Sequence, residues 1–234
     1  MPMRKTTQFV HTGPAAQVVR RGGRAAGFTI IELSVVVGIA LIISALVLFN
    51  NSRFNSAILL RSLAYEVGLS LREAQLYGVA VKEVTPGSGT FGAAYGVYVP
   101  ATIIGVQNST YPLFADLNNN GLYDDGPSSV VENFTLKNFF SMSNFCAVEG
   151  NGAMQCASTC PSPLPSGASS CSSSSIGWLD VTFVRPNPNA IILTSFASSL
   201  PSLYTAAYFT VTSQNGSTRT VSISAMGQII VNNN

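Results

Sequence analysis

The stretch Gly27-Phe28-Thr29-Ile30-Ile31-Glu32-Leu33 opens an apolar run that reaches Phe49 with Glu32 as its one ionisable side chain. As an α-helix rising about 1.5 Å per residue, residues 28–49 match the roughly 30 Å hydrocarbon layer of a bilayer. A carboxylate in such a helix costs about 2.5–3.5 kcal/mol at its centre and less toward an end. Glu32 therefore needs a partner.

Upstream of this run the chain is basic. Arg4, Lys5, Arg20, Arg21 and Arg24 all precede Gly27, and no acid does. The formal charge of +2 thus averages two unlike parts: removing those five of twelve basic side chains leaves seven against ten acidic, a formal −3. A basic segment beside an apolar span keeps to the cytoplasmic side, so residues 1–27 read as a targeting leader and stay out of the fold. An ordinary secretory signal fits less well, because its apolar core is shorter and its small residues follow that core. After Gly27 no run of Lys or Arg forms a nucleic-acid footprint, and nucleic acid is not an expected partner.

Beyond Asn50-Asn51-Ser52-Arg53 apolar residues continue at Leu60, Leu63, Ala64, Val67, Leu71 and Ala74, in steps that mark one helical stripe. No proline falls between Phe28 and Thr85. One helix is expected from Phe28 to about Tyr77, with Gly78 as its stop. Short strands follow: 79–84, 95–99, 111–117, 130–136, 179–185, 190–195, 204–212, 218–225 and 228–231. Asn215-Gly216 is the clearest hairpin turn. Residues 161–175 read as a surface loop.

The leader end Arg20-Arg21-Gly22-Gly23-Arg24-Ala25-Ala26-Gly27, followed by Phe28-Thr29-Ile30-Ile31-Glu32-Leu33, resembles the cleavage site of type IV prepilins and type II secretion pseudopilins. In that family a prepilin peptidase cuts after the glycine, here Gly27, and N-methylates the next residue, here Phe28. Glu32 matches the family's assembly glutamate. Residues 63–81 and 218–231 are similar to the GspH/FimT branch, while 137–178 reads as a cysteine- and Ser/Pro-rich insert. The resemblance implies an α+β, pilin-like fold, with a long N-terminal helix, membrane-spanning in its first half, packed on an antiparallel β-sheet domain. It divides the chain into a cleaved leader (1–27), a transmembrane or filament-core helix (28–54) and a periplasmic or extracellular globular domain (55–234). The expected function is that of a minor pilin or pseudopilin subunit in a type IV pilus or a type II secretion pseudopilus. Its partners would be other subunits, the peptidase, the inner-membrane assembly platform and, before assembly, lipid. Its location would be the bacterial inner membrane and then the filament. The rivals are a DNA-uptake minor pilin and an unpolymerised membrane-anchored adhesin. Against DNA, Arg219 stands alone and Gly227-Gln228-Ile229-Ile230 carries no arginine.

Cys146, Cys156, Cys160 and Cys171 fall in one window downstream of the export segment, which points to two disulfides with three pairings open. Zinc fits less well: no pair has Cys-x2-Cys spacing, and the single histidine, His11, lies in the leader. Asp116, Asn118, Asn120, Leu122 and Asp124 occupy places 1, 3, 5, 7 and 9 of a calcium loop, with Gly121 at the sharp turn. Pro127 stands where the twelfth-place glutamate belongs, with Asp125 or Glu132 as substitutes. The rival is an Asx-rich turn bonding its own backbone, and the missing ligand favours it. Calcium in 116–125 is thus the one cofactor to weigh. No enzyme is expected, because no histidine follows Gly27 and no nucleophile elbow, Walker A loop or His-Glu-x-x-His occurs.

Overall fold

The computed structural model describes residues 27–80, 82–84, 87–124, 129–137, 139–196 and 203–232, with backbone alone for 49–55. The chain forms two compact units, Met1–Val47 and Leu48–Asn234. In the first, helix α1 (Ile30–Val79) starts at a capping turn. The Leu33 N–H donates to the Thr29 carbonyl, and the Glu32 N–H donates to Thr29 Oγ1 at 3.3 Å. Thr29 and Glu32 have the spacing of a capping box. The 19 residues Ile30–Leu48 have a mean hydropathy of 2.7 and no buried member.

In the second unit the described residues build two sheets from eleven strands. The first sheet runs β3 (Val130–Thr135), β2 (Thr110–Asp116), β1 (Ala94–Pro100), β7 (Trp178–Phe183), β8 (Ala190–Thr194), all antiparallel. The second runs β11 (Ile229–Asn232), β10 (Thr218–Ser224), β9 (Tyr204–Thr212), β4 (Ser141–Glu149), β5 (Ala153–Cys156), β6 (Ser170–Ser172), with β5 and β6 parallel.

Period-two alternation sorts the first sheet's side chains. Tyr95, Val97 and Val99 of β1, Tyr111, Leu113 and Ala115 of β2, and Leu179, Val181 and Phe183 of β7 enter the main core. Phe145, Ala147, Phe209, Val211, Val221 and Ile223 enter it from the second sheet. The six stripe residues of α1 join the same core, each no more than 4% exposed. The helix meets both sheets. A Cβ on Gly68 would lie 3.3 Å from Val231, Ser70 Oγ is 3.1 Å from the Tyr111 hydroxyl, and the Gln75 amide donates to the carbonyls of Pro188 (2.8 Å) and Gly227 (3.0 Å).

The expected α+β class, with a long helix packed on one antiparallel sheet, is therefore corrected. Among the described residues the chain is mostly β, about 37% strand, in two large sheets, one of them mixed. The physical reason lies in residues 141–172. They read as an insert, yet they supply β4, β5 and β6, and β4 pairs with β9 inside the second sheet. Strand β4 is buried on both faces. Phe145 and Ala147 face the main core, whereas Cys146 and Val148 pack with Met154 and Cys156 in a smaller cluster. An almost continuous apolar run of this kind hides the alternation that marks a strand. Residues 79–84 form no strand in their described part, because α1 continues to Val79. Gly78 is no stop signal either. It is a buried helical residue set against the backbone of Phe183.

Candidate functional site

Gly27 and Phe28 precede α1 as exposed, non-helical residues, Phe28 being 78% exposed. Glu32 follows in the first helical turn and is also exposed. That placement suits an acid, because the unpaired N–H groups of a helix start carry partial positive charge. Asp125 and Pro127 lie outside the described residues, as do residues 1–26 of the leader.

The acidic loop follows β2. Asp116 is the last residue of that strand and 1% exposed. Its Oδ2 accepts the Gly121 N–H at 2.7 Å and its Oδ1 the Asn120 N–H at 3.3 Å. Asn118 Oδ1 accepts the Asn120 N–H at 3.1 Å, and Asn120 Oδ1 accepts the Leu122 N–H at 2.8 Å. The Asn118 amide donates to Asp124 Oδ2 at 2.7 Å, and Ser129 Oγ donates to the Asp124 carbonyl. Asp116, Asn118, Asn120, Leu122 and Asp124 are thus brought into one turn. Glu132 is not: it is exposed on β3, beside Leu63, Glu66 and Glu73 of α1.

The loop folds over the outer face of the first sheet, opposite the core. On that face Ala94, Gly96 and Tyr98 of β1 lie beside Asp116 and Phe114 of β2 and beside Asp180 and Thr182 of β7. Gly96 leaves room for its neighbours: a Cβ there would lie 2.9 Å from the Phe114 ring. Tyr123 stacks on Tyr98 at 4.6 Å and meets Phe114 edge-on at 5.3 Å. Thr182 Oγ1 donates to the Gly121 carbonyl at 3.0 Å.

The residue missed in the sequence is Asp180. It is 1% exposed, and its Oδ2 accepts the Tyr123 N–H at 3.1 Å. Its Oδ1 is buried with no hydrogen-bond partner among the described residues. Burial pushes its pKa from 3.8 up to about 8; the Tyr123 N–H opposes the shift, and Asp116 and Asp124 add to it. The available signal was an acid inside the apolar strand Trp178-Leu179-Asp180-Val181-Thr182-Phe183.

The cysteines pair as Cys146–Cys156 and Cys160–Cys171. The first bridge links directly opposed residues of β4 and β5. The second ties the Ser/Pro-rich loop to β6. The two bridges touch, Cys156 Sγ lying 3.7 Å from Cys171 Sγ. Cys156, Cys160 and Cys171 form the one group of three or more Cys, His or acidic ligand atoms within 4.8 Å of each other among the described residues, and all three are in disulfides.

No family model matches the sequence, and no curated protein or solved structure matches it. The class defined by the structure is coarse: an N-terminal apolar helix long enough to cross a membrane, and a disulfide-bearing, mostly β domain.

Proposed function

We propose that the chain is a minor pilin or pseudopilin subunit, cut between Gly27 and Phe28 by a prepilin peptidase and assembled into a type IV pilus or type II secretion pseudopilus. The observation that carries this reading is Glu32, a lone carboxylate in the first turn of the apolar helical stretch Ile30–Leu48, which has no buried member. The helix start favours an acid by about 0.3–1 kcal/mol. That offsets only part of the cost of a charge in an apolar span, which is about 2.5–3.5 kcal/mol at the bilayer centre and less toward an end. The amine of Phe28 on a neighbouring subunit would supply the difference and set the axial register, since either charge left alone in an apolar core is costly.

Two disulfides support an oxidising compartment for the β domain, and the basic leader supports a cytoplasmic N-terminus. The unassembled subunit would then sit in the inner membrane with its β domain in the periplasm. Its role is structural, and its partners are the peptidase, the assembly platform and other subunits. Mass spectrometry of the N-terminal peptide from bacterial membranes tests the reading. A chain beginning at N-methylated Phe28 supports it, and a chain retaining residues 1–27 overturns it.

A further inference from the structure

We propose that the outer face of α1 joins two copies of this chain in a short, parallel, two-stranded coiled coil. The second half of the helix is apolar on two sides. Its buried stripe, Leu60 to Ala74, enters the core, while Ile58, Tyr65, Leu69, Leu76 and Val79 are 39–65% exposed. A helix apolar on both sides is ordinarily covered on both. With Ser62 and Arg72, the exposed residues advance along the chain in alternating steps of 4 and 3. That alternation is the a/d spacing of a coiled-coil seam. The buried stripe falls at the b, c and f places behind it, so one helix carries a face for its own sheets and a face for a partner.

Charge names the partner as a second copy. Arg61 and Glu66 are both exposed and flank the seam at its g and e places. The Arg61 guanidinium lies 5.7 Å from the centre of the Tyr65 ring, which keeps its charge beside the seam. In a parallel coil the g residue of one heptad meets the e residue of the next heptad on the other strand. Arg61 and Glu66 have that separation, so two-fold symmetry forms the pair twice. An antiparallel coil faces g with g and e with e, which opposes like charges. The parallel direction is also the one imposed on copies anchored in one membrane, a point that rests on reading Ile30–Leu48 as a span. The seam's charged member is drawn aside: Arg72 donates to Gln75 Oε1 at 2.7 Å, on the flank where Gln75 meets Pro188 and Gly227. Next to it, Leu76 and Val79 share a hollow of about 470 Å³ with the exposed Met226, which widens the apolar patch.

The test uses the full-length chain in detergent, with mass read by sedimentation equilibrium across a concentration series. A monomer–dimer equilibrium is expected. Leu69→Asp, at an exposed position, should raise the dimer dissociation constant at least about tenfold while circular dichroism stays unchanged. Arg61→Glu and Glu66→Arg should each raise it about fivefold, and the double exchange Arg61→Glu/Glu66→Arg should bring it back. Leu69→Cys, folded and then mildly oxidised, should give a bridge between the two introduced cysteines, because a places oppose each other in a parallel coil. A parent chain that stays monomeric overturns the proposal. So does a dimer indifferent to Leu69→Asp, a double exchange that restores nothing, or a dimer that forms no such bridge. A monomeric parent leaves cleavage after Gly27 standing, and a chain that keeps residues 1–27 leaves the dimer standing, so the two readings fail separately.

Discussion

Gly78 of α1 lies so close to Phe183 of β7 that a Cβ would stand 2.5 Å from the Phe183 carbonyl oxygen and 2.7 Å from its Cβ. One of these atoms is backbone in the middle of the core and cannot swing away. Gly78→Ala must therefore separate helix and strand locally. A loss of about 1–3 kcal/mol is expected, as for overpacked cores, despite alanine's better helix propensity. Chemical denaturation of the parent and variant measures it, and unchanged stability would contradict the packing.

The charge on Asp180 gives a pH dependence of definite sign. Its folded pKa, about 8, lies above the 3.8 of the free side chain, so the folded state holds a proton that the unfolded state has lost. The folded form is favoured at low pH, and this contribution fades as pH rises from about 4 to about 8. With chelator present, the parent chain should lose stability from pH 5 to 8 relative to Asp180→Asn. Thermal midpoints of the two proteins across that range give the comparison, and parallel curves would refute it.

The contact between the bridges predicts a thiol exchange. Cys160→Ser frees the Cys171 thiol 3.7 Å from Cys156 Sγ. As thiolate, Cys171 attacks Cys156, forms a Cys156–Cys171 bond and releases Cys146 as thiolate. Peptide mapping of the alkylated variant should find Cys146 labelled. The double variant Cys160→Ser/Cys171→Ser should keep Cys146–Cys156 intact and be less stable by about 2–4 kcal/mol. Labelling of Cys171 alone in the single variant would show that no exchange occurs.

Replacing Glu32 by valine separates insertion from assembly. The variant should enter the membrane at least as well as the parent, because a charge has left the apolar span. Its recovery in sheared filaments should fall at least tenfold. Equal recovery would remove the charge pair from the proposed mechanism.

What the sequence made legible follows from periodicity and from nearness along the chain. The stripe Leu60 to Ala74 repeats at helical spacing, and all six side chains are buried. The Asn215-Gly216 turn does connect β9 and β10. The two-sheet arrangement was not legible, because a strand's alternation gives no sign of which sheet it joins. Strand β4 was missed because a covering loop buries its second face, and β5 and β6 are too short to show a pattern. The acidic turn was readable from consecutive residues. Asp180 was not, since it reaches Tyr123 across 57 positions of chain.

Strand order also fixes when this protein can fold. β1 is completed by β7, and β4 by β9, so each sheet waits for a partner made much later in the chain. A chain still emerging from the ribosome has a bare β1 edge until residue 178 and a bare β4 edge until residue 204. Such long-range closures slow folding. A nascent chain halted after β4 and before β7 would present both open edges to any neighbour, so newly made copies need shielding from one another until the last hairpin arrives.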